Sequence, residues 1–199
     1  MLRPSRRLAL LALASLFAVT AGAPALADSK KFLDSEDAKK HQDTDPQTFL
    51  KDYDKLVKGK EADWVYFAEG TDGKAFKTVT MKPWGTTGGK PSKSKAAAES
   101  GPGYFEEWMK KKTKLGWQVV PDGGDLTIEG NICNAWEPSG GARFWGGWMA
   151  NPGSIIELIG KDKSGKIVFE IRHKARGSTI EDSVENGLEK IIETFEAWR

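Results

Sequence analysis

The clearest periodicity in the chain lies near its C-terminal end. Ile180, Val184, Leu188, Ile191, Ile192, Phe195 and Trp198 recur at helical spacing and make one apolar stripe of an amphipathic helix. Ser178 and Glu181, just ahead of the stripe, read as a capping box. Upstream, the helical period gives way to alternation. Ser154 to Ile159 and Ile167 to Ile171 predict two strands, and Lys161-Asp162-Lys163-Ser164-Gly165 joins them as the turn of a β-hairpin. Leu126, Ile128, Ile132 and Trp136 fall on one face of a longer strand. Trp64 to Phe67 and Phe76 to Met81 predict two more strands, with a turn at Thr71-Asp72-Gly73 between them.

Two further helices follow from spacing and termini. Asp45-Pro46 has the form of an N-cap followed by a first helical residue. Phe49, Leu50, Tyr53, Leu56 and Val57 continue at helical spacing up to Gly59. Tyr104 to Leu115 carries Glu106 and Glu107 first and Lys110, Lys111, Lys112 and Lys114 last, an order that suits the helix dipole, and Gly116 sits at the C-terminal cap. Residues 85–103, rich in Gly, Ser, Lys, Pro and Ala, read as a mobile loop. The expected fold is α/β (α+β): a single mixed sheet packed by about three helices, with a C-terminal β-hairpin and closing helix. It spans residues 45–199 as one domain.

The first 27 residues change the charge argument. Arg3, Arg6 and Arg7 precede an apolar run from Leu8 to Val19, and small residues lead to Ala25-Leu26-Ala27 before the chain turns charged at Asp28. This is the pattern of a secretory signal peptide with Ala25 and Ala27 at the cleavage site. Arg6-Arg7 fits either a twin-arginine signal or an ordinary basic head. Without the three arginines of that segment, the net charge of +2 becomes −1. The expected partners therefore exclude nucleic acid. No other apolar run is long enough to predict a transmembrane segment. Residues 28–44 are charged and read as a flexible N-terminal arm. The expected location is periplasmic or secreted.

Candidate chemistry is sparse, and the chain is expected not to be an enzyme. Ser92-Lys93-Ser94-Lys95 matches S-x-x-K, but in a stretch read as loop. Residues 85–90 lack the glycine spacing of a phosphate loop. His41 and His173 are far apart in sequence, and His173 is expected to face solvent, so no metal or cofactor is expected. The carboxylate pairs Glu129 with Asp125, and Glu137 with Glu157, are the entry to a hydrolase reading. Cys133, the single cysteine, alternates with Glu129 and Asn131 and reads as a small side chain packed beneath a helix, with a reactive thiol or a bridge between two copies as the alternatives. Tryptophan is the anomaly. Trp136, Trp145 and Trp148, with Arg143 between them, cluster in a glycine-rich connection and are the candidate binding residues, suited to a glycan, a peptide or another envelope component.

The order of motifs also carries a resemblance. Phe49-Leu50-Lys51-Asp52-Tyr53-Asp54-Lys55-Leu56 precedes Trp64-Val65-Tyr66-Phe67 and then Phe76-Lys77-Thr78-Val79-Thr80-Met81-Lys82-Pro83-Trp84. Later come Gly140-Gly141-Ala142-Arg143, the strand from Ile155 to Asp162, and Ser164-Gly165-Lys166-Ile167-Val168. This series resembles uncharacterised bacterial envelope-protein families, mostly lipoproteins, with an F-L-x-x-Y-x-x-L helix, a Y-x-x-V-x-x-x-P strand and a D-x-x-T-G-x-V hairpin. It is distantly similar to the α/β domain of the curli-secretion lipoprotein and to the amino-terminal domain of TolB. The resemblance covers roughly residues 45–198 and implies an α/β envelope domain with no catalytic residues to carry over. The lipid-attachment cysteine of such lipoproteins is missing here. Together these readings predict a non-catalytic binding or assembly module of the bacterial cell envelope. The alternatives are a carbohydrate- or peptidoglycan-fragment-binding protein using the Trp-rich segment, or a hydrolase.

Overall fold

The computed structural model describes residues 47–88, 91–137 and 151–198. The expected signal segment with Ala25 and Ala27, the arm at 28–44 and His41 lie outside the described residues.

Eight strands form one mixed sheet: β1 (Val57–Lys58), β2 (Trp64–Phe67), β3 (Thr78–Met81), β4 (Gly85–Thr86), β5 (Gln118–Val119), β6 (Leu126–Trp136), β7 (Gly153–Asp162) and β8 (Ile167–Arg176). The spatial order is β1-β2-β8-β7-β6-β3-β5, with β4 also paired to β6. The ladders from β1 to β6 are antiparallel, whereas β3 and β4 run parallel to β6. Two α-helices are present among the described residues, α1 (Pro91–Lys111) and α2 (Ile180–Glu196). Both pack on one face of the sheet, α1 over β6 and α2 over β7 and β8. The α+β expectation, including the C-terminal hairpin and the helix that follows it, holds.

The main core lies between this face and the helices. Leu126, Ile128, Ile132, Ile156, Leu158, Phe169 and Ile171 meet Val184, Leu188, Ile191, Ile192 and Phe195 there. Phe195 lies 4.7 Å from Phe169 and 5.3 Å from Trp117, centroid to centroid, and Trp198 stacks on Phe67 at 4.9 Å. The whole predicted stripe of α2 is buried. Its cap sits one residue later than expected. Thr179 accepts from Asp182 N–H at 3.0 Å, while Ser178 bonds the Asp182 carboxylate.

The two other predicted helices differ from expectation. Residues 47–58 do not form the expected helix, and Asp45-Pro46 lie outside the described residues. The segment passes through a single 3-10 turn at Tyr53–Lys55 and enters β1. Leu50, Tyr53 and Leu56 are buried, as the apolar spacing implied, but against Ile159 on the second face of the sheet. Side chains take the amide protons that a helix would use: Leu50 N–H donates to Tyr53 Oη at 3.3 Å, and Lys51 N–H to Glu170 Oε1 at 2.5 Å. Tertiary contacts override the local period.

Helix α1 begins at Pro91, so residues 91–103 belong to a helix and not to the loop expected over 85–103. Ala97 and Ala98 are buried on its inner side. Gly101 is where α1 approaches Trp84; a Cβ there would lie 2.2 Å from Trp84 Cε3. Pro102 lies inside the helix. The helix stops at Lys111, and a 3-10 turn at Thr113–Leu115 replaces its expected last turn.

Candidate functional site

The second face of the sheet carries the unusual chemistry. Strand register lines up Asn131 on β6, Glu157 on β7, Arg172 on β8 and Trp64 on β2 as a row across four strands. Glu157 and Arg172 are buried and joined by a charge-assisted hydrogen bond. Tyr53 Oη donates to Glu157 Oε1 at 2.8 Å, and Asn131 Nδ2 lies 3.3 Å from Glu157 Oε2. Arg172 Nη1 also reaches Cys133 Sγ at 3.5 Å. One row down, Glu170 stands between Ile159 and Tyr66 and accepts from Lys51 N–H.

Electrostatics follow from burial. Loss of water pushes the Glu157 carboxyl up, against the pull of Arg172. Burial works against the Arg172 charge too, but Cys133 and Glu157 outweigh it and hold the guanidinium protonated. Burial, with Glu157 adding to it, raises the Tyr53 phenol well above its usual range. A buried pair of this kind is costly to break from one side and contributes little net stability when intact. Its evident effect is to fix Tyr53, and with it the segment from 49 to 56, on the sheet.

Cys133 is the residue that breaks the β6 register. Pairing with β7 shifts between Ile132 and Asn134, leaving Cys133 as the extra residue of a β-bulge. Cys133 is buried, but beside Arg172 on the face away from the helices, not beneath a helix as expected. The bulge also moves Trp136. Alternation from Leu126 puts Trp136 on the helix-facing side; past the bulge it stands on the opposite side, across from Gly153. Lys174 Nζ lies 5.5 Å and Arg176 Cζ 5.7 Å from its ring centroid.

Of the other expected binding residues, Arg143, Trp145 and Trp148 lie outside the described residues. The carboxylate pairs of the hydrolase reading are each engaged separately. Glu129 pairs with Lys161 at 2.5 Å, Asp125 with Lys163 at 2.7 Å, Glu137 with Lys93, and Glu157 with Arg172. Residues 92–95 begin a helix, so the S-x-x-K spacing does lie on one turn, but Lys95 is exposed and faces Glu99. His173 is buried, not solvent-facing, with Nδ1 3.0 Å from Asp63 Oδ2. No group of three or more metal-ligating side chains occurs among the described residues. Nothing in the spacing along the chain joins Glu157 to Arg172 and Tyr53. A single acid inside the apolar run Ile155 to Ile159 was the available signal, since such a charge needs a buried partner.

No protein-family model matches the chain, and no curated protein matches it. Among solved structures it is similar to a point variant of PelC from Paraburkholderia phytofirmans, solved as a dodecamer, with 13% identity and a TM-score of 0.50. That similarity covers 68% of this chain and 98% of the PelC chain. A second crystal form of the PelC dodecamer gives 12% identity and a TM-score of 0.48, over 65% of this chain and 96% of the other. At such identity the likeness is one of fold: the chain shares the α+β architecture of PelC.

Proposed function

We propose that the chain is an exported, non-catalytic assembly module of the bacterial cell envelope that works as a closed oligomer of identical copies. The observation that carries this reading is the fold likeness to PelC, which spans nearly the whole of a chain solved as a dodecamer. The arrangement on the second sheet face supports it. The most buried charges there are spent on one another and on holding the segment before β1, which suits a scaffold. The signal-like first 27 residues support export, and no helix among the described residues is long and apolar enough to cross a membrane.

Cell fractionation with N-terminal sequencing tests the envelope part of this reading. The expected product starts at Asp28 and is found in the envelope fraction. A cytoplasmic product retaining Met1 overturns it.

A further inference from the structure

Helix α2 packs over β7 and β8, and β2 lies one strand further out. Between β2, the second half of α2 and the residues that follow α1 lies a cleft of about 750 Å³. That size falls within the roughly 300–1,000 Å³ of small-molecule sites. Val65, Phe67 and Trp198 give the cleft an apolar floor on the helix-facing side of the sheet. Phe67 is half-buried and stacks on Trp198 at 4.9 Å, and the Trp198 indole N–H donates to the Thr71 carbonyl at 3.1 Å. The loop ahead of β2 is tied to α2, because Ala62 N–H donates to Thr194 Oγ1 at 2.9 Å. Floor and wall are thus held by contacts within the chain. The rim is charged and nearly balanced, with four lysines and three glutamates. Lys190 bridges Glu61 at 3.5 Å and Glu193 at 2.7 Å, and Lys112 meets Glu193 at 3.3 Å. Lys114 lies 3.3 Å from Glu196 Oε2, whereas Glu196 Oε1 is buried with no hydrogen-bond partner among the described residues.

We propose that this cleft binds a short, uncharged, hydroxyl-rich oligosaccharide, with a sugar ring on Phe67 and a hydroxyl donating to Glu196 Oε1. A pyranose ring has an apolar C–H face and a polar edge, which matches an aromatic floor below a charged rim. The pairing of the rim argues against an ionic ligand. Each rim charge already has its counter-charge within reach, so a ligand ion must compete with a partner in place. A hydroxyl both donates and accepts, so it can bridge a carboxylate and an ammonium without separating them. Glu196 supplies the anchor. A buried acceptor left without a donor is costly, and a ligand hydroxyl removes that cost. The site lies on the face of the sheet opposite Trp136, apart from the Trp-rich segment. It belongs to a single chain and needs no second copy.

Isothermal titration of the purified protein tests both the ligand class and the place. The probes are the neutral trisaccharides cellotriose, maltotriose and tri-N-acetylchitotriose. Trigalacturonate and triglucosamine serve as their anionic and cationic counterparts. The expected result is binding of at least one neutral trisaccharide at millimolar concentration, at one site per chain, in preference to both charged ones. Binding by no trisaccharide, or by a charged one alone, overturns the ligand class. Glu196→Ala removes the buried acceptor and is expected to weaken binding about tenfold or more, the scale of one lost hydrogen bond to a charged group. Phe67→Leu keeps the apolar bulk and removes the flat face, with a loss in the same direction. Thermal midpoints show which variants remain folded, and either one is enough for the test. Native affinity in a folded variant overturns the placement in this cleft.

Discussion

Gly153 stands directly across the β6–β7 ladder from Trp136, and the indole occupies the space a side chain at Gly153 would need: a Cβ there would lie 2.0 Å from Trp136 Cζ2. The ring therefore lies over the backbone of β7, with Lys174 and Arg176 of β8 beyond it. Only glycine permits this approach. Gly153→Val should displace the ring and destabilise the fold by about 1–3 kcal/mol, the scale of overpacking. Denaturant unfolding together with tryptophan emission checks both effects. Unchanged stability with an unchanged spectrum would mean that Trp136 does not lie on Gly153.

The Glu157–Arg172 pair predicts strong non-additivity. Arg172→Met leaves a buried carboxylate without its cation and should cost about 3–5 kcal/mol. Adding Glu157→Gln to that variant should recover part of the loss, because no uncompensated charge remains. A double-mutant cycle by equilibrium unfolding measures this. Simple additivity would show that the two groups do not interact.

Glu170 gives a signed pH dependence. Burial raises its carboxyl above the ordinary value, against the amides of Lys51 and Asp52 and the charge of Lys55, with the nearby Asp52 adding to the rise. A folded-state value above the unfolded one means that the folded protein binds the proton more tightly. Its contribution is present in full below the ordinary glutamate value of 4.5 and is lost as pH rises through the folded-state value. Glu170→Gln cannot titrate and keeps an acceptor for Lys51. The variant should gain stability relative to the native protein as pH rises from 4.5 upward. Thermal midpoints of both proteins across that range test it, and a constant difference would contradict the assignment.

The closing helix should carry much of the main core. Ile191 is fully buried on its stripe, and Ile191→Ala should cost about 2–5 kcal/mol. A midpoint in denaturant equal to that of the native protein would mean that α2 is not docked as described.

What could be read from the sequence was what burial imposes on a regular period. The stripe of α2, the hairpin of β7 and β8, and the strands β2 and β6 each place apolar residues at the spacing that faces a core. The misreadings came where a tertiary contact reversed a local signal. The Gly, Ser, Lys, Pro and Ala content of residues 85–103 suggests a loop, yet Gly101 lets α1 come close to Trp84. Asp45-Pro46 and the spacing from Phe49 to Val57 suggested a helix, yet the anchors on Glu157 and Glu170 hold the chain in another path. The bulge at Cys133 has no signature in the alternation around it, and it alone moves Trp136 to the other face. Of the candidate site, Trp136 was named from the sequence and Glu157 only as half of a different pair. Arg172 and Tyr53 were missed as its partners because side-chain pairing across strands depends on register.

The proposed closed oligomer of identical copies has a definite mass. Light scattering on the protein purified from the envelope fraction, followed through serial dilution, tests it most directly. The expected result is one discrete species at a fixed whole-number multiple of the single-chain mass, stable over the upper part of the dilution series. A single-chain mass at every concentration would contradict it.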